Sequence, residues 1–238
     1  MSEGLQQGDV SPKDKSSIDV ILWSSRILNP FDDPVEIRAF EKGKSASGYF
    51  MDRQKLAEAA MKLDSQGFQV YVTLNRVDKT LYQNAPERLV YFPKRTTSDS
   101  DITRRIWLAV DLDPTRPSGV SATDEEKKAA QEAAREIREY LALRDWSDPI
   151  VADSGNGMHL LYPIDLDNSP ESLNLVKNCL EALASDFDND KVNVDVSVAN
   201  AGRIWKLYGC VAKKGENTPE RPHRISRILE VPEYLKPF

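Results

Sequence analysis

The stretch Ile106 to Pro114, IWLAVDLDP, constrains this chain more than any other. An apolar run leads into two aspartates one residue apart, and a proline then ends it. Side chains alternate faces along a β-strand, so Asp111 and Asp113 point the same way and Leu112 the other. Two carboxylates on one face of an otherwise apolar strand repel each other and lose hydration, and a positive charge between them relieves both costs. A divalent cation that prefers oxygen ligands, Mg²⁺ or Mn²⁺, meets that demand and keeps positions open for phosphate.

With 238 residues the chain suits one large domain or two intimate sub-domains. No run is long and apolar enough to span a bilayer, and MSEGLQQGDVSPKDKSS has no apolar signal core, so we expect a cytoplasmic protein with no membrane partner. Cys179 and Cys210 stand far apart, which argues against a zinc ribbon and a disulfide scaffold. The net charge of −6 disfavours non-specific coating of nucleic acid but leaves room for a local basic groove.

Read in order, residues 1–17 form a polar tail expected to be disordered, and structure starts near Ile18. VEIRAF (35–40) alternates as a half-buried strand does, and Gly48 to Phe50 reads as a short connection. Asp52 caps a helix carrying Leu56, Ala59, Ala60 and Leu63 that ends at Gly67, and FQVYVTL (68–74) is the next strand. Residues 75–105 read as a long polar loop with two basic pairs, Lys94/Arg95 and Arg104/Arg105. After the aspartate strand, Thr123 and Glu126 make a capping box for a long helix ending near Arg144. Pro149 to Ala152 and Met158 to Ile164 form a hairpin about the turn SGNG. Ser169 and Pro170 open a further helix, and VNVDVSV (192–198) reads as a strand with valines on one face.

Three pieces then align. Ser154, Gly155, Asn156 and Gly157 are small enough to expose successive backbone N–H groups to an anion, and His159 follows at once. His159 is one of only two histidines, and it can donate a hydrogen bond to a triphosphate oxygen. Asp195 is the lone acid on the valine strand and supplies the third carboxylate that a two-metal site needs. Downstream the charge reverses sign: Arg203, Lys206, Lys213, Lys214, Arg221, Arg224 and Arg227 stand against only Glu216 and Glu220. Arg203 and Lys206 are three apart, so a helical turn places them together as triphosphate ligands.

The order hydrophobic-DLD, SGNGMH, VD, RIWKLYG and a KKG…ERPHR tail resembles the archaeo-eukaryotic primase superfamily, above all the primase-polymerase domains of bacterial phages, plasmids and other mobile elements, including those near CRISPR loci. VEIRAF, SGYF, VYVTLN and TTSDSDI extend the resemblance from about Val35 to the end. Its departure is the spacer GNGM between Ser154 and His159, where familiar members have a single residue. The resemblance implies an α/β (α+β) catalytic domain over 18–238, with an N-terminal α/β module (18–105), a C-terminal module akin to an RNA-recognition fold (106–238), and the active site between them. It implies a DNA primase-polymerase that joins deoxy- or ribonucleoside triphosphates to a 3′-hydroxyl on single-stranded DNA, using two Mg²⁺ or Mn²⁺ ions held by Asp111, Asp113 and Asp195. Ser154, Gly155, Asn156, Gly157, His159, Arg203 and Lys206 are the expected nucleotide ligands. Lys213, Lys214, Arg221, His223 and Arg224, with Arg104 and Arg105, are expected along the template and primer. In relatives the domain is joined to a helicase or a helical priming domain, so the chain is expected to be a fragment or a small stand-alone enzyme. Two other readings stay open: a catalytically silent nucleic-acid or nucleotide-binding module for replication initiation, and a two-metal nuclease or phosphohydrolase.

Overall fold

In the computed structural model, residues 17–235 and 237 are described; the expected polar tail lies outside them, apart from Ser17. Ser17 accepts a hydrogen bond from Val20 N and so caps α1 (Ile18–Leu28). There follow β1 (Val35–Glu41), β2 (Lys44–Phe50), α2 (Arg53–Ser65), β3 (Gln69–Thr73), and the short β4 (Arg76–Val77) and β5 (Val90–Tyr91). The long β6 (Ile102–Pro114) leads to α3 (Asp124–Ala142), β7 (Ile150–Asp153), β8 (Met158–Asp167), α4 (Pro170–Phe187) and β9 (Val192–Val194). The chain closes with β10 (Ile204–Lys206), β11 (Val211–Ala212), β12 (Arg224–Ile225) and β13 (Arg227–Glu230).

The fold is mixed α+β, with antiparallel pairing throughout both main sheets. One sheet has the order β10-β3-β1-β2-β5, the other β13-β7-β8-β6-β4, and β9 also pairs with β6. The sheets do not divide the chain at residue 105: β10 completes the first and β4 edges the second, so each draws strands from both halves. One large apolar core joins them, with a smaller cluster around Val77, Leu81 and Ile102; α2 lies on the first sheet with α1 packed against it, and α3 and α4 lie on the second. Trp107 Nε1 on β6 donates to Leu28 O of α1 at 2.9 Å, a buried tie between the two halves. No helix among the described residues is long and apolar enough to cross a membrane.

The helices follow their sequence signals closely. Asp52 accepts from Gln54 N and Lys55 N at the start of α2, and Thr123 and Glu126 exchange both capping-box hydrogen bonds at the start of α3. Ser169 caps α4 with Pro170 in its first turn.

Four expectations are corrected. Gly48 to Phe50 is no connection but the end of β2; the carbonyl of Arg88 runs so close that a Cβ on Gly48 would lie 2.0 Å from it, so glycine here serves an approach inside a strand. The aspartate strand starts at Ile102, not Ile106, because Arg104 and Arg105 pair across to Asp167 and Leu166. VNVDVSV is a strand only to Val194; Asp195 turns its carboxylate back onto Ser197 N at 2.9 Å and caps a 3₁₀ turn over Val196–Ala199. Arg203 and Lys206 are not on a helical turn, since Ile204–Lys206 pairs with β3 as a strand.

Candidate active site

Asp111 lies near the end of β6 with a neighbour on either side. Across β8 its register partner is His159, and on the other edge Asp195 N donates to Asp111 O at 2.9 Å, just past β9. Residues opposite one another in neighbouring strands share a face, so one level of the sheet carries His159, Asp111 and Asp195, with Asp113 on the same face two residues along. Leu112 points the other way and is fully buried.

Each carboxylate has its own cationic or N–H neighbour. Asp113 Oδ1 accepts from Arg116 at 3.1 Å, Asp195 Oδ2 from Arg203 at 3.3 Å, and Asp111 Oδ1 is 3.4 Å from His159 Nε2. Among the described residues no three His, Cys, Asp or Glu side chains are gathered closely enough to hold a metal ion. The reasons are geometric. Same-face positions two apart on a strand are about 6.6 Å apart, and Asp195 is drawn aside by Ser197 N and Arg203. The all-carboxylate donor set nevertheless fits a hard divalent cation, and Asp111 keeps a quarter of its side chain, 25%, open to solvent.

The hydrogen bonds beside His159 run in a consistent direction. Trp205 Nε1, which can only donate, gives its hydrogen to Tyr208 Oη at 2.9 Å. Burial raises the Tyr208 hydroxyl far above its ordinary range, so it keeps its proton, and the acceptor beside it is His159 Nδ1 at 2.8 Å. In a neutral His159 this pattern places the hydrogen on Nε2, the nitrogen 3.4 Å from Asp111 Oδ1. Its ring is buried and lies against the Trp205 indole with centroids 4.2 Å apart. The N-terminal sheet therefore holds the histidine in place through β10.

A cleft of about 390 Å³ opens over Asp111, Asp113 and His159, while Asp195 does not line it. Asp111, Asp113, His159, Ser154 and Asn156 line one side; Arg203, Lys206, Lys214 and Arg116 supply positive charge; Gln69, Tyr71 and Trp205 complete the wall. Burial, and next the charge of Asp111, raise the Tyr71 hydroxyl, so it too remains a neutral phenol. Lys206 is buried against the Tyr71 ring and donates to Val211 O at 3.0 Å, and burial pushes its ammonium down to about 8. A lysine so placed is charged below that pH and neutral above it. Affinity of the cleft for a triphosphate is therefore expected to fall as pH rises through about 8. Titrating a fluorescent nucleoside triphosphate between pH 7 and 9.5 checks this, and Lys206→Met should flatten the profile; an unchanged profile in that variant would assign the dependence elsewhere.

The SGNG turn differs from its expectation. Its N–H groups are already taken: Gly155 N donates to Asp153 Oδ1 at 2.7 Å, and Asn156 N and Gly157 N donate to Ser154 Oγ at 3.3 and 2.8 Å. Short Asp and Ser side chains bond backbone two or three residues ahead, and here that closes the concavity. What the turn offers the cleft is the side chains of Ser154 and Asn156. Asn156 Oδ1 also accepts from Ala122 N at 2.9 Å and so fixes the loop entering α3.

Most of the basic residues expected along nucleic acid are bound within the fold. Lys213 Nζ contacts the buried Asp64 carboxylate at 2.5 Å and Asp64 O at 2.7 Å. Arg221 grips Glu126 through two bonds of 2.8 Å, and Arg224 holds Asp124 at 2.6 Å and Ala122 O at 2.6 Å. His223 Nε2 faces Gly215 O at 3.0 Å. Arg104 pairs with Asp165, and Arg105 is buried with its NH1 on Ala199 O at 2.8 Å. These two sit near the far end of β6, about 20 Å of strand away from Asp111. Of the seven, only Lys214 lines the cleft. Lys213→Ala is accordingly expected to act on stability, leaving the buried Asp64 without its cation at a cost of about 3 kcal/mol. Urea denaturation checks it, and a variant as stable as the parent would contradict the structural role.

Reading the sequence missed Arg116, Gln69, Tyr71, Trp205 and Tyr208. Arg116 stands three residues after Asp113, and that spacing with opposite charges was the available signal; the others reach the site through β3 and β10, whose pairing joins distant parts of the chain.

No protein-family model matches the chain, and no curated protein matches it. Among solved structures, it is similar to the crystal structure of primase RepB′, with a TM-score of 0.47 and 12% sequence identity. The likeness covers 90% of this chain and 56% of that one, so the chain spans little more than half the length of that structure.

Proposed function

We propose that this chain is a metal-dependent nucleotidyltransferase of the primase-polymerase type, extending a 3′-hydroxyl with nucleoside triphosphates on a single-stranded DNA template. The observation that carries the reading is the single sheet level of His159, Asp111 and Asp195, with Asp113 beside it, of which Asp111, Asp113 and His159 open into a cleft walled by Arg203, Lys206, Lys214 and Arg116. Carboxylates alone would repel a triphosphate, and cations alone would bind it without chemistry; the two sets face one space. The ordered motifs described for the sequence support the same reading.

Asp111 and Asp113, with Asp195 as third ligand, would hold Mg²⁺ or Mn²⁺, which when bound lowers the pKa of an attacking hydroxyl and offsets phosphate charge. The protein's own residues do the positioning. Arg203 presents a planar fork suited to phosphate oxygens, Lys206 and Lys214 add point charges, and Arg116, whose buried guanidinium is held by Asp113, Pro114 O and Val120 O, adds charge behind Asp113. His159 Nε2 stands 3.4 Å from Asp111 Oδ1, close enough to offset part of that carboxylate's charge when protonated.

Incubation with a primed single-stranded template, labelled nucleotides and Mg²⁺ or Mn²⁺ should give extended products. The same incubation without nucleotides should leave labelled DNA intact. Degradation in place of extension would make the chain a nuclease, and binding without either reaction would make it a silent module.

A further inference from the structure

The residues expected to track nucleic acid are mostly engaged inside the fold, which leaves the path of the strand to be found elsewhere. The first sheet has two faces. Ile37 and Ala39 of β1 are buried toward α2, whereas Phe40, next in sequence, turns to the opposite face and is 45% exposed. On that face Tyr71 of β3 has Lys206 and Arg38 as its cross-strand partners, and Phe40 has Gln69 and Ser45. The rings of Phe40 and Tyr71 lie 6.2 Å apart, and Lys206 Nζ is 5.4 Å from the centre of the Tyr71 ring.

A second hollow of about 350 Å³ sits here, over Phe40, Ser45 and the hairpin residues Lys42 and Lys44. Gln69 and Tyr71 line both this hollow and the cleft that holds Asp111, so the two adjoin across β3. Lys42 and Lys44 are exposed at its outer end; Glu41 lies 3.4 Å from Lys44 and offsets part of that charge. An exposed ring, Phe40, beside a half-buried one, Tyr71, on an open sheet face, flanked by flexible cations and leading into a phosphate-sized cleft, has the chemistry of a single-strand platform: bases stack on the rings while lysines follow the backbone.

We propose that a single strand of nucleic acid lies across this face, from the cleft over Tyr71 and Phe40 to Lys42 and Lys44. The inference rests on the nucleotidyl-transfer reading for the identity of the strand, as template or primer. A protein partner is a poorer match, because the apolar part of the surface is two rings wide and bounded by charge.

Fluorescence anisotropy of the full chain with a fluorescein-labelled oligothymidylate, repeated over a series of salt concentrations, tests it. Phe40→Ala should weaken binding about ten-fold, as removing one stacked ring does. Phe40→Trp should bind at least as well as the parent. Lys42→Ala/Lys44→Ala should reduce the slope of log affinity against log salt by about 1.4, near 0.7 for each phosphate of a single strand left without its lysine. Binding of a fluorescent nucleoside triphosphate should stay unchanged in all three, since none of these residues lines the cleft. Equal oligothymidylate affinity in the parent and Phe40→Ala overturns the path even if the parent extends primers. Weakened binding in the variants of a parent that incorporates no nucleotide upholds the path and overturns the catalytic reading. Failure of the parent to bind the oligonucleotide overturns both.

Discussion

Asp111→Asn is expected to leave the fold intact and to abolish metal-dependent nucleotide incorporation. The substitution is isosteric and keeps an oxygen for His159 Nε2, and Asp195 N bonds the backbone of residue 111, which does not change. What it removes is the negative charge at the centre of the His159, Asp111 and Asp195 level. Metal-derived charge stabilisation is worth several kcal/mol, and at about 1.4 kcal/mol per decade its loss lowers the rate roughly a thousand-fold. Asp113→Asn should cost less, because that carboxylate is 51% exposed and already shared with Arg116. Single-turnover primer extension, with thermal melting as the control for folding, makes the comparison. Incorporation by Asp111→Asn within ten-fold of the parent would remove Asp111 from the chemistry.

The second large effect is structural and arises at Gly157. A Cβ there would lie 2.2 Å from Leu112 O and 3.2 Å from Pro114 Cδ, both on β6. Neither neighbour can yield: Leu112 is paired with Met158 on one side and Val194 on the other. Gly157→Ala should therefore push β8 away from β6 at the level next to His159 and Asp111, and overpacking of this kind costs about 3 kcal/mol. For a chain of this size that lowers the melting midpoint by about 6 to 12 °C. Triphosphate affinity should fall with it, because Ser154 and Asn156 move with the strand. Differential scanning calorimetry checks the first part; a melting midpoint within 2 °C of the parent would show that the strands can part at little cost.

Local signals are legible where local physics decides. Asp52, the Thr123/Glu126 box and Ser169–Pro170 each satisfy N–H groups within three residues, so their helices follow from the sequence alone. The Asp111/Asp113 pair is legible for the same reason, since strand alternation is a local rule. Long-range partners are not legible. Lys213, Arg221 and Arg224 look like a basic surface until Asp64, Glu126 and Asp124 arrive from 149, 95 and 100 residues away. Asp195 shows the same limit in miniature: alternation continues through VNVDVSV, but the aspartate carboxylate bonds Ser197 N and the strand ends. The N–H groups of the SGNG turn are engaged internally because Asp153 and Ser154 supply acceptors, a competition that glycine content does not reveal.

The pairing of β10 with β3 bears on the order in which the molecule comes together. During synthesis the first sheet and its helices can collapse early, but its edge beside Tyr71 stays bare until Ile204–Lys206 has been made. The same late segment brings Trp205 and Tyr208, which hold His159, and the cationic wall of the cleft. The cleft therefore assembles late, and a chain that ends before residue 204 folds, at most, into a scaffold that lacks it. Binding of anything to that cleft is a report that the chain has been made and docked as far as Lys214.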